Sequence, residues 1–216
     1  MAHWFHRFFP PYWKPQESAR QAAVLSSDCH AINLASGGID PSKRVQDFGV
    51  SAPNCRCELQ TTSPHSQKPV SDDEVLTRFI FSPIHVSKKN GKVLPSAFSH
   101  AATKGCSVQR ENLATLAELQ SWLGTYSKKN SAHTWMGTLA CDSKLIRGIQ
   151  LNDMPHRIMA VYDTAEEQNE AHAEIFQTEY VIEDSDRIEA RAELLKRFDN
   201  GILTQPPAYR AGALCC

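Results

Sequence analysis

The sequence lacks an excess of charge of either sign, because 23 Lys and Arg residues stand against 24 Asp and Glu residues. A chain that is neutral overall offers no general attraction to nucleic acid or to an anionic membrane, although the balance leaves room for a local basic patch. The sequence also lacks a run of about 20 apolar residues, which excludes a transmembrane helix. Its aromatic N-terminus is interrupted by prolines and does not resemble a secretory signal. We therefore expect a soluble, cytoplasmic protein with no membrane partner.

Several well-known functional motifs are missing from the sequence. It contains no Gly-x-Gly-x-x-Gly, no Gly-x4-Gly-Lys-Ser/Thr, no His-Glu-x-x-His and no Gly-x-Ser-x-Gly. These patterns mark dinucleotide binding, phosphate cradling, zinc proteolysis and serine hydrolysis, respectively. Their absence removes the most easily identified nucleotide-binding proteins and hydrolases, and it indicates no cofactor.

The seven cysteines do not form a disulfide framework, because their number is odd and their spacing is irregular. Cys55-Arg56-Cys57, taken with His30 or His65, lacks the ligand spacing of structural zinc sites, so we expect free thiols there and no bound metal. The C-terminal Cys-Cys pair does not match a prenylation box, which needs its cysteine where Ala213 stands. Free thiols are typical of a reducing cytoplasm.

The first 70 residues differ from the rest of the chain. They hold 7 of the 12 prolines and show no sustained period of 2 or 3.6 residues. Gly-, Pro- and Ser-rich stretches of this kind do not bury enough apolar surface to offset chain entropy. We predict that residues 1–70 form a mostly disordered leader. It serves as a flexible interaction arm, is a presequence, or is an upstream extension outside the functional protein. Residues 71–216 are then the folded domain.

The folded part mixes strand and helix patterns without a regular alternation. The sequence predicts a strand near 77–81, a hairpin around Asn90-Gly91, a third strand at 105–108, and a strand buried on both faces and central in the sheet at 157–163. Helices are predicted from a cap at Asn112 to Gly124, in a short segment after the Thr164-x-x-Glu167 capping box, and from Ser185 to about Asn200. These elements predict an α+β fold: a single compact domain with a small mixed or antiparallel sheet and two or three helices.

His172-Ala173-Glu174 matches the first half of the zinc deaminase signature, in which the histidine binds zinc and the glutamate transfers protons. The second half requires Pro-Cys-x-x-Cys downstream, and this chain has only the adjacent Cys215 and Cys216 after Leu214. A deaminase is therefore a distant third hypothesis. If a strand begins at His172, the side chains of His172 and Glu174 project to the same face.

A histidine-centred site is the catalytic hypothesis that the sequence allows. Two imidazoles can act as acid and base, and an arginine can stabilise phosphate charge. Ends of strands and loops are common places for such sites. We name His85, His172, Glu174 and Arg110 as candidate catalytic residues, with Arg78 as an alternative cation. A zinc site made from His85, His172 and Glu174 is a further alternative.

Two classes of function follow. The leading hypothesis is a small soluble binding or accessory module that acts through a surface of the folded domain, with a protein partner as one option. It leads because it does not require several catalytic side chains to converge in one site. The alternative is a His-dependent phosphodiester or nucleotide hydrolase, either metal-independent or with zinc. Lys128 and Lys129, in the loop predicted after Gly124, are candidates for phosphate contacts. A nucleotide or nucleic acid partner is compatible with this loop but is not supported by the net charge.

Overall fold

The chain folds as an α+β domain around one antiparallel sheet, which confirms the predicted fold class. The computed structural model describes residues 57–59, 61, 63–66, 68–151, 155–178 and 183–198. The five strands are β1 (Val75–Ser82), β2 (Cys106–Arg110), β3 (Thr134–Asp142), β4 (Met159–Asp163) and β5 (His172–Gln177). The sheet has the strand order β3-β1-β2-β5-β4, and every pair of neighbouring strands is antiparallel.

Three α-helices and two 3-10 helices accompany the sheet in the described residues. The α-helices are α1 (Leu116–Lys129), α2 (Ser143–Arg147) and α3 (Asp184–Arg197). The 3-10 helices span Cys57–Leu59 and Pro95–Ala102. No helix in this part of the chain is long and apolar enough to cross a membrane.

The main core lies on one face of the sheet, which we call the core face. Alternate residues of the strands point into it, among them Leu76, Val108 and Ile175, and all three are essentially without solvent exposure. The second 3-10 helix contacts both this face and α3, so that Phe98 and Phe198 meet with ring centroids 4.9 Å apart. Apolar burial of this extent is the main favourable term in folding.

The opposite face of the sheet carries a smaller aromatic cluster under α1. Phe79 and Phe81, two residues apart on β1, project to this face by the strand period and pack against Leu119 and Trp122 of the helix. Helix α1 begins at a capping box in which Thr115 Oγ1 accepts from Glu118 N. The predicted cap at Asn112 and end at Gly124 are therefore wrong, although the predicted helix exists.

Three other predicted elements differ from the structure. The segment at 157–163 does form a buried strand, but β4 is at the edge of the sheet and not at its centre. Thr164-x-x-Glu167 does not start a helix, because residues 164–171 form the tight connection between β4 and β5, closed by a bridge between Glu166 and Asn169. The hairpin at Asn90-Gly91 is reduced to one bridge between Val86 and Val93.

Helix α3 also differs in detail from its prediction. It begins after Glu183 and not at a Ser185 cap, and Ile188, predicted to line its inner side, is 62% exposed. Its buried residues are Ala190 and Leu194. The predicted terminus at Gly201 lies outside the described residues.

A segment that the sequence assigned to the leader packs on the domain through a buried carboxylate. Glu58 has no solvent exposure and accepts a hydrogen bond from Val161 N at 2.6 Å. It also pairs with Arg147 at 3.3 Å and with Arg157. This contact satisfies an amide on β4, an edge strand of the sheet. The described residues between 57 and 70 thus belong to the packed structure, whereas residues 1–56 lie outside the described residues and their disorder stays a prediction.

Candidate functional site

His172 and Glu174 are two residues apart on β5, and their side chains share the face of the sheet that points away from the main core. In the register of β2 and β5, His172 is opposite Gln109 and Glu174 is opposite Ser107. Paired residues of antiparallel strands share a face, so all four side chains belong to the opposite face of the sheet. This agrees with the predicted arrangement of His172 and Glu174, since the strand does begin at His172.

The imidazole of His172 is held by one neighbouring residue. Its Nδ1 lies 3.0 Å from both the carbonyl oxygen and the hydroxyl of Thr164. A carbonyl oxygen only accepts, so the hydrogen bond to Thr164 O requires a proton on Nδ1. The side chain is almost fully buried, with 6% of its surface exposed. His172 therefore anchors the start of β5 to the first residue of the β4–β5 connection.

Glu174 is closely packed as well. It is 4% exposed and lies between Ser107 of β2 and Tyr162 of β4 in the register of the sheet. Gly105 makes room for it: the glycine has a φ of 87°, and a methyl group there would lie 2.7 Å from the Glu174 carboxyl carbon. A glycine is required at this position by both conformation and space.

Arg110 points to the core face and has no solvent exposure. Its Nε and Nη2 donate to the two carboxylate oxygens of Glu74 at 2.6 and 2.8 Å, and its Nη1 donates to Lys68 O at 3.0 Å. Asp163 lies 3.7 Å from the same guanidinium. A two-point ion pair of this kind uses the donors that a phosphate would need. Arg110 thus joins β2 to the segment that precedes β1.

The two carboxylates around Arg110 are affected differently by their surroundings. Burial raises the pKa of Asp163, and hydrogen bonds from Ser66 and from Ala165 N oppose that rise only in part. Burial also acts to raise the pKa of Glu74, but hydrogen bonds from Arg110 and Ser71 N outweigh it and leave this pKa below its ordinary value. Glu74 is therefore the main counter-charge of Arg110.

His85 lies just beyond the opposite end of β1. Its Nδ1 accepts a hydrogen bond from Phe81 N at 3.2 Å, and its ring meets the Phe81 ring edge-on at a centroid distance of 6.0 Å. Burial and the nearby charges of Arg78, His100 and His133 lower its pKa to about 3. His85 is therefore neutral at physiological pH, and its proton-free Nδ1 is occupied.

The four candidate catalytic residues do not share one cleft. Arg110 faces the core face, whereas His172 and Glu174 face the opposite one. In the strand register His172 is level with Thr77, so four residues of β1, roughly 13 Å, separate it from Phe81 and the adjacent His85. Among the described residues no group of three His, Cys, Asp or Glu side chains could hold a metal ion. A catalytic role for these residues stays a prediction.

The two ends of the sheet differ in charge, and this was not anticipated from the overall composition. At one end, where Val75 pairs with Asp142, acidic side chains are paired with cations: Glu74 with Arg110 and Asp72 with Arg147. A surface pocket of about 300 Å³ lies here, and the residues that line it include Asp73, Glu74 and Glu111. We call this the Val75 end.

The other end of the β1–β3 pair, where Ser82 pairs with Thr134, is built from segments without acidic residues. The sequence contains no Asp or Glu from Val75 to Arg110 and none from Leu119 to Cys141. We use the name basic end for five exposed lysines of these segments together with the half-buried Arg78; the lysines are Lys88, Lys89, Lys92, Lys128 and Lys129. The basic end could have been found from the sequence by counting charged residues segment by segment and not over the whole chain.

The turn that carries three of these lysines has a defined conformation. Ser87 N donates to Lys92 O and Gly91 N donates to Ser87 O, both at 2.9 Å, and Lys92 N donates to the Asn90 side chain at 3.1 Å. Gly91 adopts a φ of 70°, which favours glycine. The turn therefore presents its lysines from a fixed backbone.

Aromatic rings connect this turn to the end of α1. Tyr126 stacks on Phe81 with centroids 4.3 Å apart, on Trp122 at 5.4 Å and on His133 at 5.9 Å. The angles of these three planes to that of Tyr126 are 27°, 22° and 28°, so each ring is close to parallel to Tyr126, although Phe81 and Trp122 are tilted by 49° to each other. We call Phe81, Trp122, Tyr126 and His133 the aromatic ladder. All but Phe81 are half-buried.

Arg78 holds its positive charge on the core-face side of β1, within electrostatic reach of His85 and Tyr126. Its two terminal nitrogens donate to Ser107 O at 2.6 Å and to Ala97 O at 3.0 Å, and both acceptors are neutral carbonyls. Its charge contributes to the lowered pKa of His85 and, after burial and Lys104, to that of His100. These shifts have the direction expected of a region of positive potential.

Comparison with family models gives no match for this chain, and comparisons with curated proteins and with solved structures give no significant match.

Proposed function

We propose that this protein is a binding or accessory module and that it binds an anionic partner through the basic end. The observation that carries the proposal is the distribution of charge along β1. Acidic residues cluster at the Val75 end, whereas residues 75–110 and 119–141, which include β1, β3 up to Cys141 and most of α1, contain none. These residues build the Ser82 end along the β1–β3 edge of the sheet. The overall neutrality of the chain therefore conceals a local cationic surface.

The distance between the two ends of β1 supports a separate cationic surface at the basic end. Strand β1 has eight residues, which corresponds to a length of roughly 25 Å. The Debye length at physiological ionic strength is about 8 Å. Carboxylates at the Val75 end are thus too far away to neutralise the lysines of the basic end, and an approaching anion meets those lysines first.

The hydrolase alternative receives less support from the geometry. It requires His85 and His172 to act on one substrate, but they lie near opposite ends of the sheet. The low pKa of His85 also leaves it without a proton to donate near neutral pH. We place the protein in the cytoplasm, where the buried thiols of Cys106 and Cys141 stay reduced.

Heparin chromatography of the full chain tests the binding surface. We expect the protein to be retained on this polyanion and released by salt, and the Lys88→Glu/Lys92→Glu variant to elute at clearly lower salt. Lys144→Glu/Lys196→Glu changes the net charge equally at exposed sites outside the basic end and should elute like the parent. Absence of retention, or the same shift in both variants, contradicts the proposal.

A further inference from the structure

We infer that the anionic partner is a single-stranded nucleic acid, with its phosphates on the basic end and an unpaired base on the aromatic ladder. The inference rests on the proposed function and names the chemistry of its partner. Charge alone would fit any polyanion. The ladder adds a second requirement, which is a partner that carries both negative charge and flat aromatic groups.

The ladder has the geometry that base stacking needs. Three rings lie within 22° to 28° of the plane of Tyr126, with centroids 4.3 to 5.9 Å from its own, whereas Phe81 and Trp122 are tilted by 49° to each other. His133 stacks on Tyr126 and its Nδ1 lies 2.9 Å from the Tyr126 hydroxyl, so both rings are fixed in orientation. A base that stacks on a fixed ring loses less freedom on binding than one that must order a mobile side chain.

The ladder also differs from an ordinary aromatic core. Phe79 and Phe81 are buried, but Trp122, Tyr126 and His133 keep part of their surface open, as does Trp135, whose ring centroid is 6.2 Å from that of Phe79. Partly exposed aromatic rings beside a cationic surface are the combination that proteins use to bind single strands without strict sequence preference.

Charge and rings are positioned by the same residues. Lys128 and Lys129 follow Tyr126 in the last turn of α1, and the turn with Lys88, Lys89 and Lys92 follows His85, whose ring contacts Phe81. The phosphates of a strand that stacks a base on the ladder would therefore meet lysines on both sides of Phe81. Bases of a duplex are already paired and stacked, so a duplex would use only the charges.

Other anionic partners use fewer of these features. An acidic protein segment offers carboxylates without nucleobases, and an anionic bilayer would engage the lysines together with exposed apolar side chains such as Ile84 and Met136. Neither accounts for the parallel rings. Nucleic acid is the partner that uses both the lysines and the ladder.

The test compares two ligands of equal charge with the unmodified full chain. An oligothymidylate of about 12 nucleotides and an abasic strand of the same length are titrated in a fluorescence anisotropy assay. We expect the oligothymidylate to bind at least about fivefold more tightly, because this is roughly the smallest factor that one stacked base contributes. Equal affinities would overturn the inference.

Variants locate the stacking interaction. His133→Ala should lose most of the preference for the oligothymidylate over the abasic strand while leaving heparin retention unchanged, and His65→Ala, an exposed histidine outside the ladder, should change neither. Circular dichroism checks that both variants are folded. An unchanged preference in a folded His133→Ala protein contradicts the role of the ladder, and the abasic comparison decides the inference if this variant does not fold.

The two proposals fail in different ways. If heparin does not retain the protein, the proposed function is wrong. The oligothymidylate is also compared with an acidic polyglutamate peptide and with vesicles that contain phosphatidylserine. If heparin retains the protein but the oligothymidylate binds no better than these ligands or the abasic strand, the inference about nucleic acid is wrong. The basic end then binds anions in general.

Discussion

Two buried arginines and the acidic residues paired with them have a structural role in this chain. Arg110 is enclosed by Glu74, Asp163 and the Lys68 carbonyl, and Arg147 is enclosed by Glu58, Asp72 and two carbonyls. Removing one member of such a buried pair leaves an uncompensated charge, which costs roughly 3–5 kcal/mol. Both arginines therefore hold the fold together at the Val75 end, whereas the lysines of the basic end are exposed to an approaching partner.

His85 should make stability depend on pH. Its pKa is about 3 in the folded chain and near the ordinary value of 6.5 when unfolded. The unfolded state binds the proton more readily between these values, so this contribution is complete above pH 6.5 and is lost as pH falls towards 3. Between pH 7 and pH 5 we expect a loss of about 1–2 kcal/mol in the free energy of unfolding.

Urea denaturation of the parent and of His85→Asn at both pH values measures this effect. The variant should be less stable at pH 7 but should lose less stability on acidification. His65→Ala, which changes an exposed histidine, should retain the acid-dependent loss. An identical pH dependence in the parent and in His85→Asn would show that other groups cause it.

Among the elements, the two Thr-x-x-Glu patterns of the chain have different outcomes. Thr115-x-x-Glu118 starts α1, because Leu119, Trp122 and Leu123 follow at helical spacing and pack on the sheet. Thr164-x-x-Glu167 is followed by polar residues and becomes a connection between paired strands. A cap satisfies backbone amides at a helix start, but a helix of this length needs an apolar face to be stable in water.

Thr115→Ala should destabilise the protein by about 1 kcal/mol, because it removes the hydroxyl that accepts from Glu118 N. The measurement is the midpoint of thermal or urea unfolding. Thr125→Ala lies on an exposed position inside α1 and should be neutral or slightly stabilising, since alanine is the better helix former. If both substitutions have the same effect, the capping interaction does not contribute.

At the scale of the whole molecule, the packed domain includes residues that the sequence assigns to the leader. Glu58 satisfies Val161 N on β4 and neutralises Arg147 and Arg157. We expect a chain that begins at Ser71 to be less stable than one that begins at Pro53 by roughly 3–5 kcal/mol, because both arginines lose their buried partner.

Calorimetry of the two shortened chains beside the full chain measures this difference. Glu58→Gln in the full chain should reproduce most of the loss, whereas Glu189→Gln on the exposed surface of α3 should not. Equal unfolding temperatures of the chains that begin at Ser71 and Pro53 would confirm the original boundary at residue 71.

Local sequence determined much of the secondary structure and the fold class. Apolar runs predicted β4 and part of β1, the leucine spacing predicted α1, and the mixed order of elements predicted an α+β domain. The local sequence did not predict β3. The alternation of apolar and polar residues over 134–142 is interrupted by Gly137, which has a φ of 141°, and by the irregular strand pairing beside it. The two-residue period correctly predicted that His172 and Glu174 share a face once a strand begins there.

Only the tertiary structure decided which residues meet. Strand order put β4 at an edge, antiparallel pairing put Arg110 and Glu174 on opposite faces, and a segment about 100 residues away in the chain supplied the carboxylate for Arg157. These contacts depend on long-range pairing, which a local pattern does not encode. The sequence by itself determined where the acidic residues are missing. The fold decided that those segments come together at one end of the sheet, because Ser82 pairs with Thr134 and Phe81 stacks on Tyr126.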